Sequence, residues 1–144
     1  MKFKIAGREI GKNRDPLIIA EIGINHNGNL DQAIAIADSA IRSGAEILKH
    51  QTHIAHEEMS EEAKKIVPVN ADESIFNLIH KCSLNEKNEI KLQKYIISKK
   101  KIFISTPFSF AAVDRLVRMK VPAFKVGSGE CNNYPLLKYI TKFK

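Results

Sequence analysis

Apolar residues in this chain fall into short runs, separated by longer segments in which they recur every three or four positions. The opening MKFKIAGREI interleaves charged with apolar residues and predicts a ribbon over Lys2 to Ile10. LIIAEIG (17–23) predicts a short strand, and Asn29 with Gln32 makes a capping-box-like start for a helix through Ser43, closed by Gly44. The unit then repeats. EILKHQT (46–52) predicts a strand, and the polar stretch after it predicts short helices around 58–66 and 72–82. Ser83 with Glu86 predicts the cap of a helix to about Ser98, and KIFIST (101–106) a third strand. Ser109 caps a helix to Met119, AFKVGS (123–128) predicts a fourth strand, and Asn133 with Pro135 opens a last helix that runs to the terminus.

Strands and helices in strict alternation predict an α/β fold with a parallel sheet, a barrel or a doubly wound sheet, whose ligand lies at the carboxyl ends of the strands. Polar residues collect at that rim. The first strand ends in Glu21, with Gly23 and Asn25 after it. The second carries Lys49 and Gln51, which share a face by the two-residue period of a strand. The third ends in Ser105 and Thr106, and the fourth carries Lys125 followed by Gly127, Ser128, Gly129 and Glu130. A lysine inside an apolar strand needs an anionic partner, because an unpaired ammonium removed from water is strongly disfavoured. Two lysines, two hydroxyls and glycine-flanked amides describe a receptor for a small, multiply anionic ligand such as a phosphate ester bearing a carboxylate. Glu21, Glu130 and Gln51 remain to handle hydroxyls or protons.

Composition narrows the partners. With 44% apolar and 27% charged residues in 144, the chain suits one globular domain. The early apolar run from Leu17 stops at Glu21, far short of a membrane span, so a cytoplasmic protein without membrane contact is expected. Cys82 and Cys131 lie far apart and suit free thiols, Cys82 in a helix core and Cys131 beside the rim. A net charge of +7 invites nucleic acid, but the densest basic cluster, Lys99 to Lys101, lacks interleaved aromatics and reads as a solvated turn; no nucleic-acid partner is expected. His50, His53 and His56 imitate a metal triplet without the geometry for one, and read as surface or packing histidines. His26 either reaches a substrate or steadies its loop. Lys49 and Lys125 could equally serve as Schiff-base lysines, as in barrel aldolases, or as structural ion pairs with Glu21 and Glu130.

The stretches IAEIGINHNG, LKHQTH, FISTPFS and FKVGSGECNNYPL, with EEMSEEAKKIVPVNADESI at 57–75, resemble the sialic acid synthase family, specifically the bacterial N-acetylneuraminate synthases. The resemblance implies residues 1–144 to be the N-terminal part of a TIM (β/α)8 barrel, about four βα units preceded by a β-ribbon. It implies condensation of phosphoenolpyruvate with N-acetylmannosamine to N-acetylneuraminate and phosphate. Lys49, Thr106, Lys125 and Ser128 match positions that hold phosphoenolpyruvate; Gln51, Asn70, Phe108 and Glu130 match positions around the amino sugar. Glu21 matches an acidic residue beside the reacting carbons, and Glu21 and Glu130 are candidates for proton transfer or for orienting water. A divalent metal, manganese or magnesium, would act as Lewis acid, with its histidine ligands outside this chain. Members of the family continue through four more strands and a C-terminal antifreeze-like domain and act as homodimers. A sheet stopped at four strands leaves open edges, so the isolated 144 residues are expected to be a fragment that is inactive alone. A legionaminic or pseudaminic acid synthase, or a non-catalytic remnant binding an anion or a partner chain, are the other readings.

Overall fold

The computed structural model describes residues 2–143. Strands β1 (Lys2–Ile5) and β2 (Arg8–Gly11) form an antiparallel hairpin over the turn at Ala6 and Gly7. The Arg8 guanidinium pins this hairpin to the foot of the sheet, its Nε donating to Glu46 at 2.7 Å. That contact raises the Arg8 pKa and lowers that of Glu46.

The main sheet is parallel, in the order β3 (Ile19–Gly23), β4 (Ile47–Thr52), β5 (Ile102–Pro107). Helix α1 (Leu30–Arg42) joins β3 to β4; α2 (Ala55–Glu58), a 3-10 turn at Ala63–Lys65, α3 (Ile75–Cys82) and α4 (Glu86–Ser98) join β4 to β5. After β5 come α5 (Phe110–Arg118), a 3-10 turn at Ser128–Glu130, and α6 (Tyr134–Ile140), which stops short of the terminus. No helix among the described residues is long and apolar enough to cross a membrane.

Side-chain oxygens start the helices where the backbone leaves N–H groups without partners. Asn29 accepts from Gln32, Ser109 from Ala112 and Asn133 from Leu136, as their positions predicted. At α4 the cap is Asn85 rather than Ser83, whose hydroxyl instead donates back to the Ile79 carbonyl and closes α3.

One face of the sheet carries Ala20, Ile22, Leu48 and Phe103 against Ala33 and Ala37 of α1 and Leu92 and Ile96 of α4. Two alanines on α1 remove bulk where that helix meets the sheet, and their burial with the neighbouring branched side chains supplies the apolar driving force for the layer.

The predicted fourth strand does not form. Residues 123–128 make a single parallel bridge, Phe124 to Ser105, and the Lys125 N–H donates to the Ser105 carbonyl at 3.0 Å. The chain turns away at Gly127, so the described residues hold three parallel strands and one bridge.

Candidate active site

The register of the sheet builds the site. Glu21 pairs with Lys49, and Gln51 with Thr106, as direct cross-strand neighbours. The two-residue period turns Lys49 and Gln51 away from the helical layer and puts His50 and Thr52 into it. The bridge at Phe124 then brings Lys125, Gly127 and Ser128 past the carboxyl end of β5. Together with Phe108 and Gly129, these residues line a cavity of about 280 Å³.

Two lysines and one glutamate are among the residues that line it. Lys49 is only 5% exposed, and its ammonium lies 2.6 Å from the Glu21 carboxylate, whose side chain is largely solvated. Lys125 is exposed and donates to the neighbouring carbonyl of Val126. A lysine sealed inside a strand was expected; because no strand forms there, Lys125 stands at the open mouth of the cavity instead. Thr106 is 1% exposed, and its buried hydroxyl has no hydrogen-bond partner among the described residues. A buried hydroxyl without a partner is strongly disfavoured, which makes Thr106 a candidate for contact with a ligand.

Seven of the nine predicted site residues meet here: Glu21, Lys49, Gln51, Thr106, Phe108, Lys125 and Ser128. Glu130 lies just behind Gly127, its carboxylate accepting from Asn133 Nδ2 at 2.7 Å. Asn70 does not join them. It is exposed and lines a separate cavity with Pro68, Asp72 and Ile75, in the segment before α3.

Two sets of polar residues escaped sequence reading. His53, read from the sequence only as a surface or packing histidine, is 8% exposed and stacks flat on Phe108, ring centroids 4.1 Å apart. Its Nδ1 donates to both Glu58 oxygens at 3.0 Å, and its Nε2 lies 3.3 Å from the Gln51 amide. Only His56 of the triplet is exposed.

The second set runs beneath the cavity. Gly28 N–H donates to His26 Nδ1, which leaves the His26 proton on Nε2, facing His50 Nε2 at 3.1 Å. His50 Nδ1 then donates to Glu89, which also accepts from Thr52 and from Arg115 Nη1 at 3.1 Å. His26 therefore steadies its loop rather than reaching the cavity. Burial, with His50 alongside, lowers its pKa from 6.5 to about 4. Burial pushes Glu89 upward, but its bonds from His50 and Thr52, together with Arg115, outweigh this and hold its pKa below the usual carboxylate range. One signal was available: Glu89 sits in helical register with Leu92 and Ile96, on the apolar face of α4.

Among the described residues, no three His, Cys, Asp or Glu side chains gather closely enough to hold a metal ion.

The sequence model of the NeuB family matches residues 36–144. The chain is 37% identical over 142 residues to the spore coat polysaccharide biosynthesis protein SpsE of Bacillus subtilis, covering 97% of this chain and 38% of that protein. It is 38% identical over 130 residues to the N,N'-diacetyllegionaminic acid synthase of Campylobacter jejuni, covering 88% of this chain and 39% of that one. The crystal structure of N-acetylneuraminic acid synthetase from Leptospira borgpetersenii superposes with a TM-score of 0.85 at 25% identity, over 99% of this chain and 46% of that chain. The chain thus spans about two fifths of the length of the curated relatives it matches.

Proposed function

Since the chain belongs to the NeuB family, we propose that its cavity is the phosphoenolpyruvate-binding part of a sialic acid synthase, within the first portion of a TIM barrel. The reaction is condensation of phosphoenolpyruvate with N-acetylmannosamine to N-acetylneuraminate and phosphate. The observation that carries this reading is the buried, unpartnered Thr106 hydroxyl sharing one cavity with two ammonium groups. A ligand with both a phosphate and a carboxylate supplies acceptors for all three.

In this reading Lys49, Lys125, Thr106 and Ser128 hold the phosphate and carboxylate, fixing the methylene carbon toward the open-chain aldehyde of the sugar. Attack by that carbon forms the new carbon–carbon bond as the aldehyde C=O opens to an oxyanion that takes up a proton to become a hydroxyl, and water, giving up a proton, adds at the adjacent carbon. The tetrahedral centre then expels phosphate with the electrons of its carbon–oxygen bond. Cations already in place around the phosphate stabilise the departing charge without reorganising. Glu21, held beside the reacting carbons by its contact with Lys49, is the candidate to take the proton of the attacking water, with Glu130 as a second carboxylate near the mouth. Gln51 and Phe108 line the part of the cavity open to the sugar. The residues described here do not fit a divalent metal, so manganese or magnesium would take its ligands elsewhere in the protein, and no step above is routed through it. We place the enzyme in the cytoplasm, acting as a homodimer.

Calorimetry of phosphoenolpyruvate binding to the complete protein and its Lys125→Met variant tests the reading. Loss of one charge-assisted contact, about 1.5 kcal/mol at so exposed a group, weakens binding roughly tenfold. Unaltered affinity and turnover would contradict it.

The similarity to the Campylobacter jejuni legionaminic acid synthase supports a second reading, the same reaction on a diacetylated amino sugar. Turnover with each sugar in turn separates the two.

A further inference from the structure

We propose that His53, clamped by Glu58, is a positioning residue that fixes the Gln51 amide and the Phe108 ring, and so orients the second, sugar-binding side of the cavity. The inference rests on the reading above only for what the cavity binds.

Glu58 carries a side chain only 5% exposed, and among the described residues its sole hydrogen-bond partner is the His53 ring. A carboxylate only accepts, so Nδ1 of His53 carries a hydrogen and the ring is locked against rotation. Its Nε2 is thereby aimed at the Gln51 amide, 3.3 Å away. That nitrogen meets the amide at Oε1, so the contact fixes which way the amide is turned. The same ring lies at 9° to Phe108, which bars Phe108 from swinging toward it. Gln51 and Phe108 both line the cavity, whereas His53 itself does not, so it acts through them. A neutral sugar with an N-acetyl group and several hydroxyls depends on such placed polar and apolar surfaces far more than a phosphate ester, which the ammonium groups hold.

The test is the double variant His53→Phe/Glu58→Gln in the complete protein. Phenylalanine keeps the stack, glutamine avoids leaving a lone buried carboxylate, and the bond to Gln51 is lost. We expect the KM for the sugar to rise about fivefold, the worth of one hydrogen bond, while phosphoenolpyruvate affinity by calorimetry stays within about twofold. The Gln51 side-chain amide signals in a nitrogen-15 spectrum should move toward solvent-exposed values. Unmoved Gln51 signals, an unchanged sugar KM, or equal weakening of both substrates would overturn the inference. Should the native protein prove to use neither substrate, the proposed function fails, and the Gln51 signals still decide the role of His53.

Discussion

Thr106→Val separates a binding hydroxyl from a structural one by giving its two effects opposite signs. In the native chain Thr106 is 1% exposed, and its hydroxyl bonds to no group among the described residues. A hydroxyl buried without a partner disfavours the fold by roughly 1–3 kcal/mol, less where water reaches it. Valine has the same branched shape and no polar atom, so the substitution should raise stability by about 1 kcal/mol, or leave it unchanged where water had filled the gap. Binding moves the other way. A hydroxyl donating to a charged phosphate or carboxylate is worth about 1.5–3 kcal/mol, so phosphoenolpyruvate should bind roughly ten- to a hundredfold more weakly. Thermal denaturation without ligand and calorimetry with it read the two quantities separately. A variant that is clearly less stable yet binds with native affinity would refute the reasoning, because Thr106 would then be a structural residue with an internal partner.

Two further outcomes follow from the buried network. His26 in the fold does not take a proton until about pH 4, whereas the unfolded chain takes one near 6.5, so stability should fall as pH drops through that window. The loss amounts to about 3 kcal/mol. Below the ordinary carboxylate pKa of 4.5 the lowered pKa of Glu89 adds to the fall; urea denaturation at a series of pH values should show the slope, and His26→Gln should flatten its upper part. Gly28→Ala should destabilise by more than about 2 kcal/mol, since φ there is +73° and an added Cβ would lie 2.4 Å from the backbone oxygen of Lys81. A melting temperature equal to that of the native protein would refute this.

Features written in single residues proved legible. Asn29, Ser109 and Asn133 stand where an oxygen is needed by the following N–H groups, and each serves. Where two candidates competed, the reading failed: Ser83 and Glu86 have capping-box spacing, but Asn85 is nearer the helix and Ser83 was already engaged by α3. Lys49 and Gln51 followed from strand alternation alone. The extended look of 123–128 reflected apolar composition, whereas a strand needs a ladder of partners, and β5 provides one bridge. Asn70 was assigned through resemblance, in a polar segment whose path no local pattern dictates. His53 and Glu58 meet only because α2 folds back directly after β4, a juxtaposition invisible to a linear reading.

Strand β4 is polar on both sides, Lys49 and Gln51 toward the cavity and His50 and Thr52 toward the helices. Greasy-in, wet-out patterning therefore cannot tell this strand which way up to lie, and a slip of one position would trade one pair for the other. Glu89 supplies the missing instruction, since only the native alignment hands its carboxylate an imidazole and a threonine hydroxyl together. Proofreading of strand alignment and placement of Lys49 are thus one event: a chain that misthreads β4 strands a charge in its interior before it can display a defective pocket.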